Sequence, residues 1–143
     1  MTAIPPLEHH ICFSLYSASL AMSALYKRLL DPLALTYPQF ITLIALWTKD
    51  DQTVGQLGTQ LRLESNTLTP LLKRLETAGL VSRKRDAQDE RLVRIRLTEA
   101  GRAMEGRAGH IPECIMSATG VELPALFDLN ARVVALRDSL TQA

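Results

Sequence analysis

The sequence predicts a mainly α-helical chain that carries one small β-hairpin, and three observations predict it. Val54, Leu57 and Leu61, then Leu68, Leu71, Leu72, Leu75 and Ala78, recur at helical spacing in two short runs with a turn between them. From Val93 to Leu97 the period drops to two, with Arg94 and Arg96 alternating against Val93, Ile95 and Leu97, as on a strand with one apolar face. On either side of this block the apolar residues return to helical intervals. At 143 residues and 47% hydrophobic content, the chain suits one domain or one subunit of an interwoven dimer.

Met1 to Leu7, with Pro5 and Pro6, reads as an extended arm. Ile11, Leu15, Leu20, Met22, Leu25, Leu29 and Leu30 then suit a long helix ending before Pro32. So apolar a helix needs more packing partners than one small subunit supplies, and dimerisation is the expected remedy. Tyr37 and Pro38 open a second helix, through Phe40, Leu43, Ile44 and Trp47, to a polar break at Lys49 to Gln52. Trp47 reads as core.

Thr53 with Gln56 three residues on fits a capping box, which starts a helix over Thr53 to Leu61. Arg62 to Glu64 form the turn. Pro70 admits two starts for the next helix: with Ser65 as N-cap the proline lies too deep and one backbone bond is lost, whereas with Thr67 as N-cap it falls in the first turn. In either case Ser65, Asn66, Thr67, Thr69 and Lys73 lie at or near the exposed N-terminal half, with Arg74 following. Small polar side chains there suit base edges and phosphates in a major groove. Gly79 ends the helix. Val81 to Arg85 can pair with Val93 to Leu97 across Asp86 to Glu90, giving a wing that bears Arg83, Lys84, Arg85, Arg91, Arg94 and Arg96. One isolated arginine is usually a solvated surface charge; a set flanking a helix-turn-helix favours nucleic-acid binding.

The expected fold is therefore a winged helix-turn-helix. Residues 37–98 form the DNA-binding region, residues 1–36 an arm and dimerisation helix, and residues 99–143 C-terminal dimerisation helices, in a single domain per subunit. Within the last segment Thr98 caps a helix with Glu99 in its first turn, Gly101, Gly106 and Gly109 weaken it, and Pro112 interrupts it near His110 to Cys114. Gly120 marks another break before an amphipathic helix over Glu122 to Leu140.

The net charge of +1 argues against a surface that is basic throughout. Charge is instead localised: from Arg62 to Arg96 there are nine Lys or Arg against five Asp or Glu, so phosphate attraction concentrates there. No secretory signal and no apolar run of about twenty residues is visible, so a cytoplasmic protein with no membrane partner is expected. In a reducing compartment the two cysteines are buried apolar residues or reactive thiols rather than a permanent staple.

The string SNTLTPLLKRLETAGLVSRKRDAQDERLVRIRLTEAG, and above all Asp89 to Gly101, resembles the winged core of the MarR family of bacterial transcription regulators. The resemblance implies a homodimer on double-stranded DNA with a near-palindromic operator, its two recognition helices in successive major grooves. It also implies a wing arginine, matched by Arg91, in the minor groove, with Asp89 orienting it. The chain departs from close relatives at Asn66, where glycine is common.

Cys12 lies in HHICFSLYSASL, with Tyr16 one turn away on the same helical face. A reactive thiol must be a thiolate, and no Lys or Arg lies close by in sequence to stabilise one; phenolic hydroxyls can do part of this. Tyr26 shares nearly the same face but lies about 21 Å along the axis, so it cannot reach Cys12 of its own chain. An antiparallel partner helix would bring it there, and Tyr37 can fold back from the next helix. The segment ICFSLYSASLAMSALYKRLLDPLALTYPQF is similar to the organic hydroperoxide resistance regulators (OhrR) within that family. That resemblance implies oxidation of Cys12 by an organic hydroperoxide to a sulfenic acid, with Tyr16, Tyr26 and Tyr37 around the sulfur. In two-cysteine members it also implies a reversible intersubunit disulfide, for which Cys114 is the match.

Other readings compete with these. An unpaired cysteine on an apolar helix is often inert packing. His9, His10, Cys12, His110 and Cys114 suggest zinc only weakly, because Pro112 interrupts the His110–Cys114 spacing and two adjacent histidines point apart on a helix, and neither a metal nor a cofactor is expected. Alternatives to the redox sensor are a regulator of the same family answering a small phenolic or lipophilic ligand, a thiol peroxidase in which Cys12 turns over, and a DNA-binding architectural protein without a signal.

Overall fold

A computed structural model describes residues 3–143, so Met1 and Thr2 of the expected arm lie outside the described residues. Leu7–His9 form a single 3-10 turn ahead of α1 (Ile11–Leu30), and a second such turn, Asp31–Leu33, follows it. The long first helix thus ends before Pro32. There follow α2 (Tyr37–Thr48), β1 (Gln52–Thr53), α3 (Val54–Leu61), α4 (Ser65–Thr77), β2 (Val81–Arg85), β3 (Val93–Leu97), α5 (Glu99–Ala108), α6 (Ile111–Thr119) and α7 (Leu123–Gln142). The described chain falls into two compact units divided after Gly109.

In the first unit, local sequence sets most boundaries. Thr36 and Gln39 cap α2 reciprocally, and Thr53 and Gln56 do the same for α3, each side chain satisfying an amide that the first helical turn leaves free. Helix α3 ends at Arg62, which adopts a left-handed conformation with φ 58° while its N–H and that of Leu63 both bond the Gly58 carbonyl. Neither expected start of α4 is observed. Its N-cap is Glu64, so Pro70 sits deep inside the helix and offers no N–H to the carbonyl of Asn66, one turn back.

The wing is more than a hairpin. β2 and β3 pair antiparallel with Val81 opposite Leu97, Arg83 opposite Ile95 and Arg85 opposite Val93, and β1 joins the other side of β3. The resulting sheet order is β1-β3-β2. Two residues are too few to show an alternating pattern, which is why β1 is invisible in the sequence. Leu43, Leu46, Leu57, Leu68, Leu72, Leu75 and Ile95 are completely buried and form the core between α2, α3, α4 and the sheet.

In the second unit, Pro112 lies in the first turn of α6, where no donor is needed, and Gly120 ends the helix at φ 64°. Helix α7 buries no residue, and Leu123, Phe127, Leu129, Val133 and Leu140 are exposed along it. No single helix among the described residues is long and apolar enough to cross a membrane.

Candidate DNA interface and thiol site

Helix α4 presents Ser65, Asn66, Thr67, Lys73 and Arg74 to solvent and leaves Thr69 half-buried beside the Leu68 and Leu72 side of the helix. No side chain caps its N-terminus, and of its first three amides that of Thr67 bonds the Glu64 carbonyl at 3.0 Å. The wing arginines divide into two kinds. Arg91 extends from the tip with its side chain 90% exposed, held by two parallel bonds of 3.0 Å from Nε and Nη2 to the two carboxylate oxygens of Asp89. The others have partners elsewhere in the fold. Arg83 lies on the face of Ile95 and reaches Glu76 of α4 at 3.2 Å, with its side chain 26% exposed. Arg85 donates to the Glu90 carbonyl at 3.2 Å. Arg94 binds Asp86 at 2.5 Å and Asp51 at 3.4 Å.

Asp86 organises the turn. One carboxylate oxygen accepts the N–H groups of Gln88 and Asp89 at 2.8 and 3.1 Å, and the other accepts Arg94 Nε. Those bonds, the Arg94 guanidinium first, hold the Asp86 carboxyl down to about 2. Arg91 and its own N–H likewise lower Asp89. A carboxylate depressed in the folded protein adds stability above its ordinary value near 4, and that contribution is lost as pH falls through the folded value. The Gln88 and Asp89 amide resonances are therefore expected to hold steady down to about pH 4 and to titrate near 2. Titration near 4 would show that the clamp does not form in solution. Asp86→Asn should abolish the transition at the Gln88 amide.

The thiol end is built on α1, one unbroken helix from Ile11 to Leu30. Cys12 is exposed, and Tyr16 on the same face is 63% exposed. Tyr26 belongs to the other end of the helix. There Tyr37 folds back against it with ring centroids 4.6 Å apart, and Phe40 lies 6.1 Å away. Burial, and secondarily Tyr37, push the Tyr26 phenol up, which keeps its hydroxyl protonated as a donor. Cys114 is exposed on α6 in the second unit. Among the described residues no group of three or more His, Cys, Asp and Glu could hold a metal ion.

Comparison with known proteins places this geometry. The family described as transcriptional regulator SarA/Rot matches residues 24–105, more than half of the chain. The organic hydroperoxide resistance transcriptional regulator of Bacillus subtilis (strain 168) is 43% identical over 136 residues, covering 95% of this chain and 92% of that protein. The chain belongs to the SarA/Rot family of MarR-like winged-helix transcriptional regulators. The regulator also superimposes on solved structures of AbfR of Staphylococcus epidermidis. Reduced AbfR bound to DNA matches with a TM-score of 0.83 at 33% identity, over 95% of this chain and 93% of that one. Disulfide-formed AbfR matches with a TM-score of 0.67 at 32% identity, over 95% and 90%. These relatives are DNA-binding regulators and not enzymes, which sets aside the thiol peroxidase reading.

Of the residues singled out in the regulator's sequence, the structure brings Tyr26 to Tyr37 and Arg91 to Asp89, and keeps Cys12 apart from Tyr26. Two residues passed over in the sequence hold the wing. Asp50 accepts the Leu97 N–H at 2.9 Å and pairs with Arg102 at 3.5 Å; Asp51, at φ 56°, pairs with Arg94 and Arg96. They sit in the polar break after α2, and no local pattern announces partners more than forty residues away.

Proposed function

We propose that the regulator is a homodimeric repressor that binds a near-palindromic operator when reduced and releases it when an organic hydroperoxide oxidises Cys12. The observation that carries the reading is the placement of Cys12 and Tyr26 on one unbroken helix, fourteen residues and about 21 Å apart. Of the three tyrosines, Tyr16 is the one that lies a single turn from Cys12 on the same helix. The α1 helix of a second copy, running antiparallel, would bring Tyr26 and its ring partner Tyr37 to the sulfur. The exposed apolar residues of α1, Ile11, Phe13, Leu20 and Met22, and those of α7 suit burial in such a dimer.

The chemistry is a two-electron oxidation. The Cys12 thiolate attacks the terminal peroxide oxygen, the O–O bond breaks, and the alkoxide leaves as the alcohol after taking a proton; sulfur becomes the sulfenic acid and the peroxide is reduced. The Cys114 thiol of the second subunit then attacks that sulfur, forming the S–S bond and expelling water. The similarity to a hydroperoxide resistance regulator and to a protein solved with its disulfide formed supports both steps.

On the DNA side Ser65, Asn66, Thr67, Thr69, Lys73 and Arg74 of α4 face a major groove, and Arg91, oriented by Asp89, enters the adjacent minor groove. Arg83, Arg85 and Arg94 shape the wing that carries it. A titration of operator DNA with and without cumene hydroperoxide tests the whole reading. Wild-type protein should lose affinity on oxidation, and Cys12→Ser should not. If Cys12→Ser still lets go of DNA, the sensing role fails. Cys114→Ser should release DNA yet form no covalent dimer on a non-reducing gel, and a covalent dimer in that variant would remove Cys114 from the scheme.

A further inference from the structure

Helix α2 joins the tyrosine end of the first unit to the base of the wing. At its start Tyr37 packs against Tyr26 with the rings tilted by 50°, and Phe40, one turn later and buried, lies against the same ring. Two further turns on, Trp47 meets Phe40 edge-on at 6.2 Å and donates its indole N–H to the Gly101 carbonyl at 2.9 Å. The helix has a reciprocal cap at Thr36, no glycine, and its proline only in the first turn. Twelve residues at about 1.5 Å each make a stiff rod of about 18 Å.

The far end of the rod has no slack. Gly101 approaches the chain so closely that a Cβ there would lie 2.0 Å from the Leu80 carbonyl oxygen. Leu80 is a link between α4 and β2, so it joins the recognition helix to the wing. Thr98 bonds the same junction twice, from its N–H to the Leu80 carbonyl at 3.1 Å and from its hydroxyl to the Gly79 carbonyl at 2.6 Å. Beyond Trp47, the Gln52 side chain ties back to the carbonyls of Ala45 and Lys49, and Asp50 holds the Leu97 N–H. Ring contacts and hydrogen bonds thus run without a break from the tyrosines to the junction of recognition helix and wing.

We propose that α2 carries the redox state of the thiol site to the junction of recognition helix and wing, and that Trp47 is the positioning residue through which it arrives. The inference rests on the reading of Cys12 as the sensor. Spatial continuity alone does not establish coupling, which is a difference in affinity between two states. A merely structural Trp47 would affect the reduced and oxidised forms alike. A transmitting Trp47 changes the ratio between them.

The test uses the full chain and cumene hydroperoxide. Trp47 is the only tryptophan, so tryptophan emission in the wild-type protein reports on the surroundings of this one residue. That emission should change at the rate at which Cys12 sulfenic acid forms, and should stay constant in Cys12→Ser. Trp47→Phe keeps an aromatic ring against Phe40 and loses the donor. Its Cys12 should oxidise as in the wild type and its reduced form should bind operator normally. Its oxidised form should keep operator affinity within about threefold of the reduced form, where the wild type loses about tenfold or more.

Equal loss of affinity in Trp47→Phe and wild type, or wild-type emission that ignores oxidation of Cys12, would overturn the inference and leave the sensor reading standing. Release of DNA by peroxide in Cys12→Ser would overturn the sensor reading and the inference with it. The emission measurement needs no variant at Trp47, so the test survives if Trp47→Phe does not fold.

Discussion

Gly101→Ala is expected to lower stability by about 3 kcal/mol or more, seen as a fall of about 10 °C in Tm by circular dichroism. Alanine is the better helix former by about 1 kcal/mol, so local propensity alone predicts the opposite sign. Space decides. The added methyl would meet the Leu80 carbonyl oxygen at 2.0 Å, its carbon at 3.0 Å and a Leu97 methyl at 3.2 Å. The first two are backbone, and they belong to a junction that Thr98 also fixes. Relieving the contact means moving α5 off the start of β2. Gly106 in the same helix is the control, because nothing lies within 4 Å of a Cβ there, and Gly106→Ala should stabilise slightly. A Gly101→Ala protein melting with the wild type would show that α5 is not seated as described.

Arg91→Ala should weaken operator binding about tenfold or more and lower the slope of log affinity against log salt by about one. Its side chain is the wing arginine aimed outward, so its loss leaves the wing's internal pairs intact. Removing it also bares the Asp89 carboxylate near DNA, so the double variant Arg91→Ala, Asp89→Ala should recover part of the affinity while retaining the reduced slope. Arg94→Ala makes the contrast. It strips partners from Asp86 and Asp51, and should speed amide exchange in the wing turn in the absence of DNA. Wild-type binding by Arg91→Ala across the salt range would place the wing tip away from the duplex.

Much of the fold is legible in local sequence because its causes are local. Thr53 and Gln56 announce the α3 cap within one turn, and the alternation of Val93, Ile95 and Leu97 gives the strand that pairs with Val81 to Arg85. The start of α4 misleads, since Glu64 is no preferred cap and Pro70 suggests a later beginning. The candidate site is harder. A charge count treats the wing as a set of equivalent cations, whereas Glu76 takes Arg83, Asp86 takes Arg94 and Asp51 takes Arg96 out of that set. Only contacts across the fold distinguish Arg91 from Arg94. Trp47 reads as core by its spacing, and its bond to Gly101 spans 54 residues.

The strand order β1-β3-β2 leaves β2 on the outside of the sheet. An outer strand offers a row of unpaired backbone groups to which another chain can add, the usual seed of aggregation. In β2 the strand's last three residues are Arg83, Lys84 and Arg85, and Ser82 precedes them. Like charges brought side by side repel, so this basic run opposes edge-to-edge pairing of two free molecules. Neutralising all three residues to test DNA binding would remove that protection, and the material lost from solution would pass for lost affinity.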